Sequence, residues 1–250
     1  MLGGRADFDF GQYAASSRLQ HQAENFIPFR FRQTVTLYEF ARGPALTASL
    51  AVLLAGTLWR LARLAARPAP PDLSAPRGSA ATGALRGIAH RFWPHPRFGA
   101  TIGVSTAVGY AYHVGLAVIV FSFLPHIQFI RQLTGLRWPA LPDPVTYFAG
   151  GLTTAALVVA LVQRRGDPVK RMLSRFDDYF SWLVVFLPVI TGMALIDVPR
   201  GSGNPAVAVH LLSVELLLAW FPFGKLMHAL TAFWSRGLTG AKYARRGALP

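Results

Sequence analysis

Residues 98–130 of this chain contain no Asp, Glu, Lys or Arg. A helix on a soluble protein keeps a charged outer face, whereas a membrane span needs about twenty consecutive apolar residues. Residues 43–59, 144–163, 179–196 and 206–230 have the same character, the last interrupted by one acid, Glu215, and carrying Lys225 toward its end. Composition agrees: 52% of the chain is hydrophobic and 14% charged, against about a quarter charged in ordinary soluble domains. The fold class that follows is an all-α integral membrane protein, a five-helix transmembrane bundle occupying residues 36–235. Residues 1–35 read as a non-membrane segment, 66–97 as a Pro-, Ala- and Gly-rich linker loop, and 236–250 as a basic tail. Pro188 sits inside the fourth span as a kink.

The formal charge of +14 does not indicate nucleic acid, because the basic residues flank apolar runs instead of forming a reading face. They mark orientation. Arg and Lys crowd 60–97, 164–175 and 225–246, while 131–143 holds only Arg131 and Arg137, and 197–205 only Arg200. Positive-inside bias puts the C-terminus in the cytoplasm and, with five spans, the N-terminus outside; the Arg residues of the N-terminal segment pull mildly the other way. The expected location is the inner membrane of a bacterium. The start, MLGGRADFDFGQ, lacks the basic and apolar regions of a cleavable signal peptide. With no cysteine, the chain has no disulfide, no cysteine-ligated iron–sulfur cluster and no CxxCH haem attachment.

Four histidines lie in the apolar segments: His113 and His126 in the second, His210 and His228 in the fifth. Neutral imidazole is the commonest metal ligand, and ionisable groups at membrane depth are costly enough to suggest function. The second and fifth spans run in opposite directions, so depth pairs His113 with His228 and His126 with His210. Axial spacings of roughly 20 Å and roughly 27 Å suit two stacked haems between helices 2 and 5. On straight helices, eighteen residues bring His210 and His228 to one face, whereas thirteen leave His113 and His126 out of line; Pro125 is able to turn the chain there. His21, His90 and His95 lie in polar or interfacial sequence and read as surface residues. Gly109, Gly115, Gly150, Gly151 and Gly192 either make room for a porphyrin or pack helices closely.

The stretch YHVGLAVIVFSFLPHI, FAGG at 148–151, the RRGDPVKR loop and HLLSVELLLAWFPFGKLMH resemble the gamma subunit of respiratory nitrate reductase. The first helix, LYEFARGPALTASLAVLLAGTLWRLARL, is more similar to the membrane cytochrome of the dissimilatory sulfite reductase complex, in the same wider family. The resemblance covers roughly residues 36–235. It implies a five-helix cytochrome b with haem iron held by His113, His210 and His228. The family's fourth ligand falls at Phe123, so His126, three residues on, is the substitute, and one haem b or two depends on it. A quinol-associated lysine ahead of FAGG has no equivalent in LRWPALPDPVTY.

The implied task is electron transfer between the quinone/quinol pool and partner subunits of a redox complex, of iron–sulfur, molybdenum-type or multihaem cytochrome kind. Bis-histidine iron has no open position, which favours electron transfer over chemistry at the metal. Glu215 departs from the family pattern. It lies about 7.5 Å along the axis from His210, as a proton acceptor for quinol oxidation or as a protonated group bonded to a neighbouring helix. Asp143 is a weaker candidate of the same kind. Two other readings stay open: a cytochrome b anchor of hydrogenase or formate dehydrogenase type, and a haem-free membrane scaffold or transporter.

Overall fold

A computed structural model describes residues 36–68, 75–90, 99–198 and 204–248, with Leu73 and Phe92 besides. The segment 1–35, His21 and His95 lie outside the described residues. Regular structure among the described residues is entirely helical. Four helices are long and apolar enough to cross a membrane: α1 (Leu37–Ala65), α3 (Gly99–Ser122), α5 (Asp143–Gly166) and α7 (Phe176–Met193). Their apolar side chains point outward in numbers that water would not tolerate, with Val104 70% and Phe148 74% exposed. The fifth candidate is a bent pair, α8 (Pro205–Trp220) with residues Lys225–Arg245, inclined by 76°. That second limb is a short 3₁₀ turn followed by α9 (His228–Arg245).

Local sequence explains where the helices start. Asn204 accepts a hydrogen bond from the Ala206 N–H, with Pro205 in the first turn of α8. Asp167 caps the short α6 (Pro168–Leu173) by accepting from Val169 and Lys170. In α1, Pro44 has no N–H to give, and a π-helical turn over Ala41–Ala45 absorbs the defect. Pro188 lies within α7.

Two elements differ from the sequence expectation. The linker loop contains a helix, α2 (Ala80–His90), and the basic tail is helical through Arg245. These two pack antiparallel: the Arg77 N–H donates to the Arg245 carbonyl, and Phe92 meets Phe233 at the other end. A Cβ on Gly240 would fall on the Gly83 carbonyl oxygen, and one on Gly87 would lie 2.7 Å from that of Arg236. Backbone-to-backbone docking of this kind depends on glycines distant in sequence, so neither helix is evident by itself.

The second and fifth spans are also not straight. α3 ends at Ser122, Phe123 is extended, and α4 (Leu124–Thr134) begins with Pro125 in its first turn. Proline removes a donor and clashes with the preceding turn. The last carbonyls of α3 therefore need other partners: that of Phe121 accepts from the Trp138 indole, and that of Ser122 from the Leu141 N–H. In the fifth span the helix stops near Phe221, so His228 opens a new helix after the bend. The straight-helix argument for His210 and His228, with its spacing of roughly 27 Å, does not describe this chain. α1 and α8 run parallel, with Gly56 against Pro222 and the Arg60 guanidinium donating to the Pro222 and Phe223 carbonyls at 2.8 and 2.9 Å.

Candidate functional site: two facing histidine pairs

The four histidines meet in the pairs that depth assigns. His113 and His228 have ring centroids 5.8 Å apart with planes at 88°. His126 and His210 have centroids 6.2 Å apart with planes at 17°. The backbone of α3 packs on α5 and α4, and that of α8 on α7 and α1. The helices carrying the histidines thus meet through imidazole rings.

Each ring is anchored by Nδ1. His113 Nδ1 lies 2.8 Å from the Gly109 carbonyl, His126 Nδ1 2.8 Å from that of Ile119, and His228 Nδ1 2.7 Å from that of Lys225. A carbonyl only accepts, so in each case Nδ1 carries the proton. The fourth, His210 Nδ1, lies 3.1 Å from the Thr191 hydroxyl. That hydroxyl donates to the Leu187 carbonyl at 2.7 Å and so accepts from His210. All four rings therefore offer Nε2 to a metal, the tautomer that outer hydrogen bonds impose on metal-bound histidine.

Spacing tests what fits between them. Metal–nitrogen bonds of about 2 Å, with about 1.1 Å from each nitrogen to its ring centre, require centroids roughly 6.3 Å apart for two imidazoles on opposite sides of one iron. Both observed separations are close to this. A metal held between two imidazoles sets no particular angle between their planes, so near-perpendicular and near-parallel pairs are equally compatible. Among the described residues, no group of three or more His, Cys, Asp or Glu could hold a bare ion. Paired histidines suit a metal whose remaining positions are filled by a macrocycle.

The glycines divide between the two roles considered for them. A Cβ on Gly115 would strike Thr153, and one on Gly150 would meet the Met193 sulfur 2.3 Å away, so these pack helices. A Cβ on Gly192 would lie 3.1 Å from His210 Cε1, so Gly192 makes room for that ring. Gly109, one turn before His113, and Gly151 face open space.

Two acids that the sequence did not single out hold the bend in place. Asp178, at the start of α7, accepts from Lys225 Nζ at 2.6 Å and Arg164 at 3.0 Å, and Asp177 accepts from the Lys225 N–H at 3.2 Å. The Lys225 carbonyl then holds His228. Asp177 also accepts from the Ser181 hydroxyl, which accepts from the Trp220 indole. A Cβ on Gly224 would lie 2.3 Å from that indole nitrogen, so only glycine passes there. Adjacent acids opening an apolar helix were the available signal. Glu215 is buried on α8, and both its carboxylate oxygens lack a hydrogen-bond partner among the described residues. Ala208, Glu215 and Pro222, all buried, recur every seven residues on one face of α8, the face that meets α1 at Gly56. Asp143 sits at the start of α5 with the Tyr147 hydroxyl 3.5 Å away.

No protein-family model matches the chain, and no solved structure does. A protein of Nitratidesulfovibrio vulgaris whose name states no function is 29% identical over 227 residues, 84% of this chain and 96% of the relative. The Hdr-like menaquinol oxidoreductase cytochrome b-like subunit of Archaeoglobus fulgidus is 26% identical over 175 residues, 57% of this chain. The match spans about half (53%) of that archaeal protein. The archaeal relative is thus named as a cytochrome b-like subunit, and neither relative is named as a nitrate reductase subunit.

Proposed function

We propose that this chain is the haem b subunit of a membrane redox complex. In this reading it carries electrons between the quinone pool and a partner subunit. The observation that carries the reading is the pair of facing imidazole sets, each with Nδ1 engaged and centroids at the separation one intervening iron requires. The likeness to a menaquinol oxidoreductase cytochrome b-like subunit supports it and makes menaquinol the first reductant to try. His113 with His228, and His126 with His210, would hold the two groups, which when bound supply one-electron carriers at two depths. The chain's own residues fix the rings: carbonyls and Thr191 hold Nδ1, and the bend clamped by Asp177 and Asp178 presents His228. Positive-inside bias assigns His126 and His210 to the outer half of the bilayer and the C-terminus to the cytoplasm.

The reading is tested by the dithionite-reduced spectrum of the purified chain. An alpha band at about 560 nm is expected from bis-histidine ligation, with pyridine haemochrome giving two haems per chain. A spectrum without that band refutes the reading and leaves a haem-free scaffold.

Quinol oxidation releases protons, and Glu215 supplies a buried carboxylate whose oxygens have no hydrogen-bond partner among the described residues. In this proposal Glu215 takes one of those protons. Glu215→Gln is expected to slow haem reduction by a menaquinol analogue at least about tenfold while haem content and dithionite reduction stay unchanged. An unchanged rate would reject the role.

A further inference from the structure

A groove of about 820 Å³ lies between the C-terminal end of α1 and the bent limb, and none of the four paired histidines lines it. Its cations are Arg60, Arg63, Arg67 and Lys242, and no acid among the described residues lines it. Trp59 and Trp234, 55% and 59% exposed, also line it. Arg60 is fixed by the Pro222 and Phe223 carbonyls, and Arg63 stacks over Trp59 at 5.0 Å. The remaining lining is largely apolar, including Leu64, Phe223 and Leu238.

We infer that this groove binds the headgroup of an anionic phospholipid. Four like charges gathered without a counter-charge among the described residues repel one another unless an anion shares the space. A quinone is neutral and needs one or two hydrogen-bond donors, which leaves the charge unexplained. A soluble anion would account for the charge but not for the apolar walls. A phosphodiester with acyl chains satisfies both: guanidinium forks match phosphate oxygens, and tryptophans sit at headgroup level beside the chains. The groove opens on the side of the bundle richest in Arg and Lys, where basic clefts between membrane helices meet anionic lipid. The inference does not depend on haem binding.

The test uses the full chain in detergent, stripped of lipid and titrated with dioleoylphosphatidylglycerol, dioleoylphosphatidylcholine or inorganic phosphate, with thermal unfolding and bound lipid per chain as readouts. Phosphatidylglycerol is expected to raise the unfolding temperature and remain bound, and phosphatidylcholine to do neither. Arg67→Gln with Lys242→Gln should weaken the phosphatidylglycerol response about tenfold or more. Arg86→Gln with Arg171→Gln removes the same charge outside the groove and should leave the response intact. If the groove variant is poorly recovered, Leu238→Glu places a negative charge there and should have the same effect. Equal responses from groove and control variants would refute the site, as would millimolar phosphate replacing the lipid.

Discussion

Under the proposed haem-binding role, replacing His126 by alanine is expected to lower the haem content from two per chain to one. Its ring lies 6.2 Å from His210, and its Nδ1 is held by the Ile119 carbonyl, one of those left at the end of α3. Removal leaves a single imidazole at that level, and one axial ligand holds haem b far less tightly than two. The His113–His228 pair stands on a separate part of both limbs, so its absorbance and its reduction by dithionite should persist. Reduction by a menaquinol analogue should fall at least about tenfold, since electrons entering on the His210 side lose their first acceptor. Haemochrome quantification of wild type and variant side by side decides the point. Unchanged stoichiometry would remove His126 from the ligand set.

The place of His126 shows what a sequence conceals. Depth was legible, because opposite helix directions pair His113 with His228 and His126 with His210 whatever the detailed packing. Azimuth was not. A straight helix turns His126 away from its partner, and the break at Phe123 restores it. The signal for a break was Pro125. Its outcome, however, depends on Trp138 and Leu141 taking the carbonyls that α3 gives up, contacts made from beyond the next helix. Phe123, at the position where the resembling family carries its ligand, packs edge-on against His126 with centroids 5.3 Å apart. The departure from the family pattern moves the imidazole by three residues and keeps an aromatic ring beside it.

The fifth span conceals more. Pro222 and Gly224 mark a weak point, but a straight continuation through 230 satisfies hydropathy equally well. The bend is set by acids on α7, by Trp220 meeting Ser181, and by the docking of α9 on α2 through Gly83, Gly87 and Gly240. None of these contacts is local. Periodicity reports which face of a segment is apolar, whereas close approach of small residues from distant segments leaves almost no trace in it. The expected loop and tail were therefore where the sequence was least informative.

Asp178→Ala is expected to cost the His113–His228 haem selectively. Its side chain is 6% exposed and faces Lys225 and Arg164, themselves 54% and 39% exposed. Breaking a fully buried pair costs about 3–5 kcal/mol; with both cations reaching solvent, screening reduces this to about 1–2 kcal/mol. The fold survives such a loss, but the bend loses its clamp. Lys225 donates its backbone N–H to Asp177 and its ammonium to Asp178, and its carbonyl accepts from His228 Nδ1, so movement at this residue passes directly to the ring. Haem per chain should fall toward one, now by loss of the other member. The two ring geometries allow the losses to be told apart. With haem held in the proposed way, the near-perpendicular rings of His113 and His228 would give a highly anisotropic low-spin ferric resonance, and the near-parallel rings of His126 and His210 a rhombic signal. Asp178→Ala should erase the first and spare the second, and His126→Ala the reverse. Asp178→Asn keeps an acceptor for the Arg175 N–H while losing the charge, so an intermediate occupancy assigns the clamp to the ion pair. Loss of both signals together would mean instead that Asp178 supports the bundle as a whole.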